Sequence, residues 1–205
     1  DQMGAGNSDL SAYSKTKYAD LSGYADDLIA ICDELGLNDV GVVAHSVSGM
    51  IALLAARKRP ELFDQLIMVG PSPCYINDGD YVGGFSREGI DDLLGFLEIN
   101  HAAWSAQMAP VIMGNPDRPE LGAELEASFC RTDPVIAHQF AKATFLSDHR
   151  ADLAEIATPT LILQSAEDIV APVTVGEYMK DVMVAPTLVI LKSEAIARIS
   201  VRRIW

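Results

Sequence analysis

Histidine and cysteine are scarce in this chain of 205 residues, and their placement excludes several kinds of chemistry. Cys32, Cys74 and Cys130 are odd in number and far apart, so they form no disulfide framework and no zinc-ligand spacing. No metal site and no cofactor is expected. The few thiols fit a reducing cytosol, which is the expected location. Basic residues are outnumbered: 15 Lys and Arg stand against 29 Asp and Glu, a net charge of -14. A surface that acidic repels nucleic-acid phosphates and anionic lipid. Neither nucleic acid nor membrane is therefore an expected partner. Long apolar runs are missing too. A stretch such as Ile51 to Ala56 falls far short of the roughly 20 residues needed to cross a bilayer. The start, Asp1-Gln2-Met3-Gly4, lacks the pattern of a signal peptide. There are no repeats and no low-complexity tracts.

What is present is a globular composition, 49% hydrophobic and 21% charged. Leu21, Tyr24, Leu28, Ile31, Cys32 and Leu35 recur at helical spacing, with Gly36 as a stop. Val40 to Val43 is a short β-branched run, which predicts a strand buried on both faces of a parallel sheet. Gly49 to Arg59 reads as a helix closed by Pro60, and Leu66 to Val69 as a second strand. Strand, helix, strand with short connections is the grammar of a parallel sheet. From about Gly84 to Asp152 the pattern turns helical. Ile90 to Trp104 reads as one amphipathic stretch, Leu121 to Phe129 as a second and Pro134 to Phe145 as a third. Thr160 to Leu163 returns to strand, Val173 to Met179 to helix and Thr187 to Leu191 to strand. A helical insertion between parallel strands predicts a cap.

The sharpest local feature is Val43-Ala44-His45-Ser46-Val47-Ser48-Gly49. A serine between a buried strand and a helix fits a nucleophile elbow. The helix that follows aims its N-terminal amides at the place where an oxyanion would develop, with Val47 N–H as one donor. Taken alone, such a serine is more often an ordinary helix cap. Ser48 competes for the role, and one turn-position late it reads as a packing residue. A carboxylate must also be present to orient a histidine. Asp168, in the acidic turn after Leu161-Ile162-Leu163, is the candidate, with Glu167 as its solvated neighbour. A plain turn residue is the alternative for Asp168.

Several stretches together resemble one family. They include Gly4-Ala5-Gly6-Asn7-Ser8-Asp9, His45-Ser46-Val47-Ser48-Gly49-Met50, Val69-Gly70-Pro71-Ser72-Pro73-Cys74-Tyr75 and Asn115-Pro116-Asp117-Arg118-Pro119. Phe129-Cys130-Arg131-Thr132-Asp133-Pro134 and Ser147-Asp148-His149-Arg150 extend the match through the helical region. The chain resembles the α/β-hydrolases of the bacterial energy-stress regulator RsbQ and the plant karrikin and strigolactone receptors, with the RsbQ branch nearest. The resemblance implies an α/β-hydrolase fold, a parallel sheet with a helical cap, incomplete at both the N- and C-terminal ends. Its implied divisions are residues 1–83 (partial core with the elbow), 84–152 (four-helix cap) and 153–205 (remaining core strands and an aberrant tail). It implies Ser46 as nucleophile, Asp168 as acid, and a pocket lined by Phe85, Trp104, Met108, Phe129 and Phe145. Packing within the cap is the competing role for those five. The implied ligand is a small hydrophobic ester or enol ether, hydrolysed slowly or sensed. The implied partner, engaged through the cap, is a PAS-containing phosphatase of a general stress response.

Two elements of that family pattern are not found. The loop supplying a second oxyanion amide would precede Asp1, so the strand at Val40 is expected to lack a neighbour and the chain alone to fold poorly. The triad histidine should follow Leu191, yet His45, His101, His138 and His149 all precede Asp168. His45, next to Ser46, is expected to point the wrong way, and the other three to have surface or packing roles. Codons for Ala195 to Ser200 can be chosen so that a shifted frame reads Gly-His-Cys-Pro-His-Ile, the family's histidine loop. The tail through Arg202-Arg203-Ile204-Trp205 is therefore read as a frameshift product, which the encoding DNA tests. The chain itself is expected to be inactive. A non-catalytic ligand-sensing module is the alternative, and a haloperoxidase-like hydrolase a third. Serine rather than aspartate at the elbow argues against a dehalogenase.

Overall fold

The structure, a computed structural model, describes residues 1–192. The tail assigned to a shifted reading frame lies outside the described residues. Four parallel strands form one sheet in chain order: β1 (Val40–His45), β2 (Phe63–Val69), β3 (Thr160–Ser165) and β4 (Pro186–Leu191). Three helices pack on it or on one another. α1 (Ser22–Glu34) precedes β1, α2 (Ser48–Lys58) links β1 to β2, and α7 (Val173–Val182) links β3 to β4. Between β2 and β3 the chain leaves the sheet for α3 (Arg87–Ile99), α4 (His101–Met113), α5 (Pro119–Arg131) and α6 (Pro134–Phe145).

The register explains where the core lies. Ala44, Met68, Ile162 and Leu188 form one row across all four strands. That row faces α1, α2 and α7 in the main core, together with Leu53, Val175 and Met179. The alternate row runs Val43, Ile67, Leu161, Thr187 and points to the other face. Val43 is 66% exposed there. This corrects the expectation of a strand buried on both sides. Among the described residues the main core gathers on one face, so an unbroken apolar run still alternates between buried and exposed. Among the described residues β1 lies at one edge of the sheet.

The helical region differs from its sequence reading at one point. The stretch Ile90 to Trp104 is two helices, not one. Asn100 breaks it with φ -151°, and its side chain accepts a 2.9 Å hydrogen bond from Ala103 N–H to start α4. Ile90, Leu94, Leu97 and Trp104 form a separate apolar cluster. A polar strap holds the exit of this region. Asp152 accepts from His149 Nδ1 at 2.9 Å and pairs with Arg57 of α2, while Arg150 binds Asp148 and Asp78.

Candidate active site

Ser46 sits at the carboxyl end of β1 with φ +55°. A side-chain-bearing residue in the left-handed region is strained, and strain of this kind collects at functional turns. The turn is fixed by short bonds: Ser46 N–H donates to Val69 O at 2.8 Å, and Gly49 N–H to Ser46 O at 2.9 Å. Gly49 suits the close packing here, since a β-carbon would stand 3.0 Å from Pro71 Cβ. Helix α2 begins after the turn, with Val47 rather than Ser46 at its cap position. The helix-cap alternative for Ser46 therefore does not describe it. Val47 N–H has no backbone acceptor among the described residues. Ser48 takes a 3.4 Å bond from Gln2 Nε2 at the edge of the site.

Ser46 opens on a cavity of about 520 Å³ beneath α3 to α6. That volume suits a small molecule. Phe85, Trp104, Met108, Phe129 and Phe145 all line it, as does Val47. Trp104 and Phe129 lie 5.5 Å apart and tilted, and Phe85 meets Phe145 edge-on at 6.3 Å. Residues with no assigned role in the sequence also line it. Tyr75, Phe140 and Leu97 are among them, and Met3 and Gly4 of the opening turn close one side. Tyr75 was legible only as part of a matched stretch. The signal that could have singled it out is its place just past the end of β2, where loops of neighbouring parallel strands converge.

Tyr75 is buried and lines the cavity on which Ser46 opens. Burial pushes its hydroxyl up to about 12, with the nearby Ser46 opposing the shift. His45 is among the residues that line the same cavity as Ser46. Loss of hydration holds its imidazole below the usual histidine range, and the nearby Asp168 charge opposes this.

Asp168 lies in the turn between β3 and α7, and its charge is felt by both His45 and Tyr75. Its Oδ1 accepts from Val170 N–H at 2.8 Å and Ala171 N–H at 3.0 Å. Gln164 donates to Ala171 O from below, which anchors the same turn. Asp168 does not itself line the cavity; Val170 does. The acid candidate and the serine are thus at the same end of the sheet, on turns after β3 and β1. Among the described residues no cluster of three His, Cys, Asp or Glu side chains could hold a metal ion.

A strained serine at a strand end, an amide at the following helix start and a capped apolar cavity are the arrangement of one large enzyme family. Residues 1–193 match the model of the alpha/beta hydrolase family. The chain belongs to that family. It is 38% identical over 179 residues to a probable esterase of Oryza sativa subsp. japonica, covering 87% of this chain and 66% of that protein. It is 36% identical over 195 residues to a strigolactone esterase of Arabidopsis thaliana, covering 95% and 73%. A hydrolase structure from Oleispira antarctica superposes with a TM-score of 0.93 at 41% identity, covering 96% of this chain and 72% of that one. The chain spans about two thirds of the length of the rice relative. Among the described residues no helix is long and apolar enough to cross a membrane.

Proposed function

We propose that this protein binds a small, mostly apolar ester-like or enol-ether ligand and attacks it with Ser46. The observation that carries the reading is the strained Ser46 opening on an apolar cavity beneath four helices. Val47 N–H is the oxyanion donor, and Phe85, Trp104, Met108, Phe129 and Phe145 grip the ligand. Asp168 is the acid that orients a histidine. Nucleophilic attack forms the Ser46 Oγ–carbon bond, moves the carbonyl π pair onto oxygen and releases the serine proton to a base. Asp168 cannot be that base directly, because its Oδ1 is held by two amides and it does not face the cavity.

No histidine follows Asp168 in the chain. Loss of one triad member costs roughly four to six orders of magnitude in rate. The 205-residue chain is therefore inactive in turnover by this reading. The relatives' names, which include a strigolactone esterase and a karrikin insensitive 2 receptor of Petunia hybrida, support ligand sensing as the biological role. We place the protein with the RsbQ type of cytoplasmic stress regulator, whose cap, residues 84–152, engages a PAS-containing phosphatase. A sensing role in which Ser46 chemistry is dispensable is the second reading. It is supported by the name of a relative 37% identical over 179 residues, a karrikin insensitive 2 receptor of Petunia hybrida.

The test is hydrolysis of p-nitrophenyl butyrate. We expect no sustained release of p-nitrophenol above the Ser46→Ala background. Multiple turnovers that persist in Ser46→Ala would overturn the assignment of Ser46.

A further inference from the structure

Three helices give the cavity a whole stripe of side chains each, not a single turn. α4 contributes His101, Trp104, Met108 and Ile112, spaced three or four residues apart on one face. α6 does the same with Ile136, Phe140 and Thr144, and α5 with Leu125, Ser128 and Phe129. From His101 to Ile112 the α4 stripe is about 16 Å long. Spread over that length, a cavity of about 520 Å³ has a mean section of about 30 Å². The cavity is thus a narrow channel. It has room for one alkyl chain at protein packing density and none for a compact polycycle.

The two ends of the channel differ. One lies at the strand ends with Ser46. Phe85 and Val170 both line it, and Gly84, next to Phe85, packs so that a β-carbon would stand 3.3 Å from Val170 O. Phe85, Phe145 and Trp104 share one apolar cluster. Met113, about 13 Å further along α4 than Trp104, belongs to another with Leu121 and Leu125. That cluster is small and lies between α4 and α5, which approach closely where a β-carbon on Gly122 would stand 3.3 Å from Pro110 Cα. Met108, Ile112, Met113 and Leu125 line this far part of the channel. They are aliphatic or thioether side chains, with no hydrogen-bonding group to match a polar ligand, and they mould readily to a flexible chain. We infer, taking Ser46 as the nucleophile of the reading above, that the substrates are esters with one unbranched alkyl chain. The ester group lies at Ser46 and the chain end between α4 and α5. An extended chain advances about 1.2 Å per bond, so about eight to ten carbons reach the far cluster. Each methylene buried there completes the packing around Met113 and Leu125.

Straight-chain alcohols test the channel without requiring turnover. Binding of 1-butanol, 1-hexanol, 1-octanol and 1-decanol is measured by calorimetry, beside 1-adamantanol, a compact alcohol with as many carbons as 1-decanol. We expect affinity to rise about two- to fourfold per added methylene through 1-octanol, and 1-adamantanol to bind about tenfold or more weakly than 1-decanol. Leu125→Trp and Ile112→Trp fill the far end from α5 and from α4. Each should remove the gain beyond 1-hexanol and leave the 1-butanol affinity unchanged, which also shows that the variant is folded. A flat series, 1-adamantanol bound as tightly as 1-decanol, or an undiminished rise in both folded variants overturns the channel. The adamantanol comparison decides in the unaltered chain whatever the variants do. Ser46 is tested apart from this. Fluorophosphonate labelling at Ser46 that 1-octanol slows supports ester chemistry at the near end. A rising alcohol series with no label at Ser46 keeps the channel and overturns the ester. Label at Ser46 with a flat series keeps the nucleophile and overturns the alkyl chain.

Discussion

The strain at Ser46 can be measured by replacing it with alanine and with glycine. Both variants lose the hydroxyl and every bond it makes, so that difference cancels. What remains is backbone. At φ +55° an L-residue pays about 1–2 kcal/mol relative to the right-handed region, and glycine pays almost nothing. Against this, glycine gives the unfolded chain more freedom, which costs about 0.4–1 kcal/mol relative to alanine. The net expectation is that Ser46→Gly is more stable than Ser46→Ala by about 0.5–1 kcal/mol. For a chain of this size that is a rise of roughly 1–4 °C in Tm. Urea unfolding followed by circular dichroism, with midpoints converted through a common slope, reads the difference. Ala106→Gly, at an exposed position inside α4, serves as the control, with a loss of about 1 kcal/mol. A Ser46→Gly variant less stable than Ser46→Ala by about 0.5 kcal/mol, like an ordinary helix or strand position, would refute the elbow geometry.

Three further outcomes are expected. Asp168→Ala should cost about 1–3 kcal/mol in urea unfolding, because two turn amides lose their acceptor, whereas Asp168→Asn keeps an acceptor oxygen and most of the stability; equal stability of the alanine variant and the parent would show that Asp168 does not hold the turn. His45 has a folded-state pKa lowered by desolvation, so the unfolded chain binds the proton more readily. Its contribution to stability is present above the ordinary histidine range and is lost as pH falls through that range to the lowered value; His45→Gln should flatten this slope, and an unchanged slope would assign it to other groups. Val43→Lys, on the exposed face of edge strand β1, should reduce aggregation seen by light scattering and leave the midpoint of unfolding within about 0.5 kcal/mol; undiminished aggregation would mean that another surface drives it.

The strands and the elbow were legible because their signals are local. Short β-branched runs ending in Ser46 or in Gly70-Pro71 need no knowledge of the rest of the chain. The five aromatic and methionine residues of the cavity were legible through resemblance of whole stretches, since helical spacing alone describes core and pocket equally well. Three features depended on tertiary placement. Ile99-Asn100-His101 continues an apolar period across a helix break, and only the backbone at Asn100 reveals the turn. Val43 looks like its buried neighbours, and its exposure follows from which face of the sheet the helices cover. His45 and Tyr75 gain their place in the site from loops converging at the strand ends, where both line the cavity on which Ser46 opens.

Covalent labelling with a fluorophosphonate, mapped by peptide mass spectrometry, tests the central claim most directly. The serine oxygen bonds to phosphorus as the P–F bond breaks, the serine proton leaves to solvent, and the reaction needs the exposed hydroxyl that the elbow presents. The account requires a single phosphonylated site at Ser46 under prolonged exposure at high probe concentration, with none in Ser46→Ala. Labelling that persists in Ser46→Ala, or that maps to Ser48 or Tyr75, would contradict it.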